Sequence, residues 1–172
     1  MTNQLRASYL YGLFSDLTAR LSDRFNLRRK TADDIKHRLR IKEEMRDAGL
    51  SPAQLRYAEV RHLPSIIKND EHVKAAIFGH IKSGGVAIMV ATNRRVIYID
   101  HTPMVDNLDE FNYLTISGIS YSSNRLSCAV TMHSSLDDRT LERVKNHQAK
   151  KFISYIETKS IDLPSGASDI GI

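Results

Sequence analysis

Thiol chemistry is nearly missing from this chain: Cys128 is the only cysteine in 172 residues. An intrachain disulfide is therefore impossible, and the composition suits a reducing compartment such as the cytoplasm. Long apolar runs are missing too. Arg6, Asp16 and Arg20 interrupt the N-terminal hydrophobic residues, so neither a secretory segment nor a membrane-spanning helix is expected. Catalytic signatures are equally scarce. GxSxG, P-loop, GxGxxG and HExxH patterns are absent, and Cys128 has no CxxC partner. His37, His62, His72, His80, His101, His133 and His147 are scattered rather than spaced as metal ligands. No enzyme, cofactor or metal is expected.

A dominant charge is also lacking. The formal net charge is +5, of which residues 1–60 hold +4, from 12 Lys/Arg against 8 Asp/Glu. The basic residues Arg24, Arg28, Arg29, Lys30, Lys36, Arg38, Arg40 and Lys42 are followed or interleaved by Asp33, Asp34, Glu43, Glu44 and Asp47. Spacings such as Arg40–Glu44 make local ion pairs on a solvated helix face. This is not the clustered stripe of a nucleic-acid binder, so no specific nucleic acid is expected as a partner.

What the chain does have is enough apolar material for a core: 41% hydrophobic residues with 26% charged. Its clearest segment is Gly84–Ile99, GGVAIMVATNRRVIYI. Two β-branched runs flank the polar junction Thr92–Arg95, which predicts an antiparallel hairpin. Upstream the period is helical. Leu10, Phe14, Leu17, Leu21 and Phe25 recur every three or four residues and form a stripe that must dock on another element or another chain. Thr31 looks like the N-cap of a second helix ending at Asp47 or Ala48, with Ile35, Leu39, Ile41 and Met45 as its apolar stripe and Gly49 as C-cap glycine. Ser51-Pro52 predicts a third helix, which Pro64 breaks or re-aims.

From Glu71 the period switches to strands. Expected strands are His72–Ile81, Val86–Ala91, Val96–His101, one within Glu110–Ile119, Asn124–His133 and a short piece around Leu141. Pro103–Asn107 reads as loop. Asn146–Thr158 returns to helix, with Ala149, Phe152, Ile153 and Ile156 facing inward. The expected fold is α+β: a helical segment over residues 1–60, an antiparallel barrel over 61–160 with a C-terminal capping helix, and a flexible tail over 161–172.

The series Glu71, Gly84, Thr92, Arg95 and Tyr98 gives this pattern a family look. An acidic residue opens the first strand, a glycine turn follows, then a hydrophobic strand ending Thr-x-x-Arg, then an aromatic-containing strand. Residues 62–159 thereby resemble a bacterial pleckstrin-homology-like (PH-like) domain of the YokE type. The resemblance implies a partly open barrel of two nearly orthogonal sheets, closed by the last helix. It also implies that basic residues near the first hairpin turn receive phosphates in lipid-binding members. Lys82 lies in that turn and, with Arg94 and Arg95 of the next turn at what could be the opposite barrel end, is a ligand-binding candidate, since Lys and Arg donate charge-assisted hydrogen bonds to phosphate oxygens. Against this stands a structural reading, with Arg95 paired to Asp109 or Glu110. The expected function is a non-enzymatic interaction module that binds a protein partner or itself, with Leu10, Phe14, Leu17, Leu21 and Phe25 as partner-binding candidates. The alternative is a peripheral adaptor on an anionic membrane surface.

Overall fold

The computed structural model describes residues 31–102, 105–125, 128–135 and 137–162. The chain divides into two compact units, residues 1–39 and 40–172. Described residues 31–39 of the first unit are helical, with Ile35 and Leu39 exposed.

The second unit begins with helical residues 40–47 (α1). Gly49 ends this helix at φ +99°. The Gly49 amide donates to Arg46 O and the Leu50 amide to Met45 O, at 2.8 and 3.1 Å. This is a Schellman cap, as the glycine predicts, and Leu50 and Met45 are both buried beside it. The expected third helix is split. Ser51 and Gln54 exchange capping bonds, but they start only a 3-10 turn, Gln54–Arg56. Tyr57 then turns extended at ψ 149°, and α2 runs Ala58–Ile66. Pro64 lies inside α2, where it removes one hydrogen bond two residues before the end rather than breaking the helix earlier.

Seven strands follow: Val73–His80 (β1), Val86–Thr92 (β2), Arg95–Thr102 (β3), Val105–Asn112 (β4), Ile116–Ser123 (β5), Cys128–Ser134 (β6) and Arg139–Val144 (β7). The long helix Asn146–Asp162 (α3) closes the unit. All pairings are antiparallel, in the order β4-β3-β2-β1-β7-β6-β5. The two layers implied by the resemblance are one curled sheet, joined where β1 meets β7 at His80 and Glu142. That crossing needs Gly79, because a Cβ there would stand 2.6 Å from Glu142 O. A bulge beside it, with Arg143 at φ +56°, turns β7 from β6 toward β1.

Two cores share this sheet. Its concave face packs Ile77, Met89, Val96, Val130, Met132 and Leu141 against Phe152 and Ile156 of α3. Phe152 is fully buried, so it plugs the barrel as its place on the inward stripe predicts. The convex face of β1–β3 packs Ala76, Phe78, Ile88, Val90, Ile97 and Ile99 under Ile41, Met45, Leu50 and Leu63. Gln148 at the start of α3 ties the layers, donating to Gly49 O (2.8 Å) and Gln54 Oε1 (3.0 Å).

Candidate functional site

The Thr-x-x-Arg element builds a junction at the β2–β3 turn. The Thr92 hydroxyl, fully buried, donates to Glu71 Oε1 at 2.8 Å and accepts the Arg94 and Arg95 amides at 3.1 Å each. Arg95 grips Glu71 with a fork, Nε to Oε1 and Nη2 to Oε2, both 3.0 Å. Its Nη2 also donates to Ile66 O, and its Nη1 pairs with Glu110. One guanidinium thus holds the α2–β1 loop, β3 and β4 together. The Thr92 carbonyl accepts hydroxyls from Tyr113 and from Tyr155 of α3.

The electrostatics follow from these bonds. Burial by itself would raise the Glu71 carboxyl, but the Arg95, Thr92 and Lys68 donors outweigh it and hold its pKa below the usual carboxylate value. Arg95 is raised, chiefly by its hydrogen bonds to Glu71. A second group stands beside the first. Arg40 donates to Glu44 (2.8 Å) and to Glu71 O (3.0 Å), while Glu44 also accepts His72 Nδ1–H and the Val73 amide, both at 2.8 Å. Glu44 is also lowered: burial opposes the shift, and hydrogen bonds from His72, Val73 and Arg40 prevail. The pair Arg40–Glu44 is present as its spacing predicts, but it clamps the chain instead of decorating a solvated face.

The three candidate cations do not converge. Arg94 and Arg95 line one cleft of about 310 Å3 with Lys68, Glu71, Glu110, Phe111 and Asn112. There Arg94 pairs with Asp70, and Arg95 with Glu71 and Glu110. Lys82 is exposed in the β1–β2 turn, at the other end of β2. Seven residues at about 3.3 Å rise separate the two ends by roughly 20 Å. Leu10, Phe14, Leu17, Leu21 and Phe25 lie outside the described residues.

The barrel end that holds Lys82 is acidic on its inner side. Asp100 accepts from the Tyr98 hydroxyl and from Asn107 Nδ2, both at 2.9 Å. Arg139 of β7 reaches across to Asp109 of β4, with Nη2 at 2.8 Å and Nε at 3.0 Å, and lies 5.3 Å from the centre of the Tyr98 ring. It also pairs with Asp137, and Asp138 pairs with His133. Burial and the neighbouring Asp100 push the Tyr98 hydroxyl pKa up, so it stays a proton donor. Sequence reasoning missed this brace, because no local spacing links Asp109 to Arg139.

A third feature is a groove of about 190 Å3 between the β5–β6 hairpin and α3, lined by Tyr121, Ser123, Cys128, Asn146, Ala149, Lys150 and Ile153. Cys128 is buried and its thiol is pushed up by that burial, which suits a core residue rather than a nucleophile. Among the described residues, no group of three or more His, Cys, Asp or Glu side chains is placed to hold a metal. No described helix is long and apolar enough to cross a membrane.

The bacterial PH domain family matches residues 67–158, more than half of the chain. This chain belongs to the bacterial PH domain family. Two solved structures are similar to it. One is a DUF1696 family protein with a pleckstrin-homology domain from Shewanella loihica PV-4, at 18% identity and TM-score 0.42, covering 64% of this chain and 98% of that one. The other is a pleckstrin-homology domain from Shewanella amazonensis SB2B, at 13% identity and TM-score 0.43, covering 58% and 93%. No curated protein matches the chain. The family's barrel is thus carried here by the Glu71–Thr92–Arg95 junction and the Phe152 plug.

Proposed function

We propose that this bacterial PH domain is a non-enzymatic, cytoplasmic interaction module of the YokE type that binds protein, self-association included. The barrel edge of residues 61–160 and the helical segment of residues 1–60 carry the binding. The observation that carries this reading is the charge at the open barrel end. Asp100, Asp109, Asp137 and Asp138 stand there against Lys82 and Arg139, and Arg139 is already committed to two of them. Among the described residues, a phosphate brought to the β1–β2 turn meets the exposed Lys82 in an acidic setting. The Arg94 and Arg95 cleft offers cations whose charge nearby carboxylates already offset. Both features weigh against the anionic-membrane alternative.

Sedimentation with phosphatidylserine-rich vesicles at low salt tests the choice. The protein is expected to stay in the supernatant, and the double variant Lys82→Ala, Arg94→Ala is expected to behave as the parent does. Vesicle capture that fades with salt and is lost in the double variant would overturn the proposal in favour of the membrane adaptor.

A further inference from the structure

The two edges of the sheet are unequally protected. A free strand edge offers unpaired amides and carbonyls to any other strand, and charged or proline residues on it discourage pairing. Edge strand β4 carries Asp106, Asp109 and Glu110 among its eight residues. Edge strand β5, ISGISYSS, carries neither charge nor proline, and the whole stretch Tyr113–Asn124 is uncharged. Tyr121 is 61% exposed, Ser120, Ser122 and Ser123 are exposed, and a Cβ added at Gly118 would meet nothing within 4 Å. Among the described residues, the strand partner of β5 is β6 alone.

We propose that β5 is a docking strand for a second copy of this chain, paired antiparallel across a two-fold axis at Ser120. The inference rests on the protein-binding reading above and commits it to one surface. Charge favours a copy as occupant. Two β4 edges would set carboxylates against carboxylates, whereas two β5 edges meet without repulsion. Register favours it as well. With Ser120 opposite Ser120 of the copy, Ile119 stands opposite Tyr121 in both directions, and Gly118 opposite Ser122. Ile119 packs on the concave core and Tyr121 lines the α3 groove, so both lie on the concave side. The two-fold thus creates two apolar aromatic–β-branched pairs. It also closes the assembly at two subunits, because the same edge is used on both.

Cysteine cross-linking tests this register. Directly opposed antiparallel residues have Cα atoms about 4.5–5.5 Å apart, within disulfide reach. Ser120→Cys should give a covalent dimer on mild oxidation. Ser117→Cys, roughly 20 Å from its own copy in this register, should not, and neither should the parent with its buried Cys128. Ser120→Lys, which gives up an exposed hydrogen bond to His133 Nε2, should weaken the dimer about tenfold or more while the thermal midpoint of the monomer holds. A dimer that Ser120→Lys leaves intact, with no Ser120→Cys cross-link, would overturn the proposal and move the interface elsewhere. That outcome leaves the protein-binding reading standing. A parent that remains monomeric at high concentration, with Ser120→Cys uncross-linked, would overturn it in favour of a different segment adding to the edge. Vesicle capture alone strikes at the broader reading.

Discussion

Strands β1–β3 are covered on both faces, by α3 within the barrel and by α1 and α2 outside it, whereas among the described residues β5 and β6 are covered on the concave face only. The sequences record the difference. β2 reads VAIMVAT and is buried at six of its seven positions, because each side of the pleat meets a core. β6 reads CAVTMHS with buried and half-buried residues alternating, and β5 is exposed along its outer half. One half of the sheet is a scaffold buried on both faces. Among the described residues, the other keeps surface and an edge free.

The largest expected effect falls on what both halves share. Phe152→Ala empties the barrel centre and should cost about 4 kcal/mol, seen as a lower urea midpoint with unchanged slope. A loss under about 1 kcal/mol would mean that the halves do not share this plug. Next comes the junction. Arg95→Ala leaves the Glu71 carboxylate, whose side chain has no exposed surface, without its fork and should cost about 3 kcal/mol.

The doubly covered half was the most legible in sequence. Continuous β-branched runs locate β2 and β3, and the 3.6-residue stripe locates α3 and Phe152. The half covered on one face was harder to read. The Ser and Gly content of ISGISYSS imitates a turn, so the expected strand Glu110–Ile119 merges the end of β4 with the start of β5. Asn112 caps the 3-10 turn that separates them, with its Oδ1 accepting the Leu114 amide at 3.1 Å. Asp106 and Asn107 likewise made the first part of β4 resemble a loop, although polar residues are what an edge strand tolerates. At the junction, Glu71, Thr92 and Arg95 were each singled out, but their partnership spans 24 positions and periodicity cannot disclose it. The convex core was hidden for the same reason: Ile41 and Met45 meet β1–β3 across more than two dozen residues.

Acid sharpens the comparison further. Glu71 and Glu44 have folded pKa values below the ordinary carboxylate value, so their stabilisation is complete above that value. It drains away as pH falls through the lowered, folded values. Urea midpoints measured from pH 7 to pH 3 should therefore decline with acidification, and Glu71→Gln should flatten the decline. A decline of the same steepness in Glu71→Gln would assign the acid sensitivity to other groups. The smallest effect is expected on the uncovered half. Tyr121→Ser should change monomer stability by less than about 0.5 kcal/mol, because the ring is largely in solvent.

Amide hydrogen exchange at low and high protein concentration tests the division between scaffold and docking edge most directly. Protection should rise with concentration across Gly118–Ser123 and stay constant along the charged edge Val105–Asn112. Protection that grows along β4, or that leaves β5 unchanged while the protein self-associates, would contradict the account.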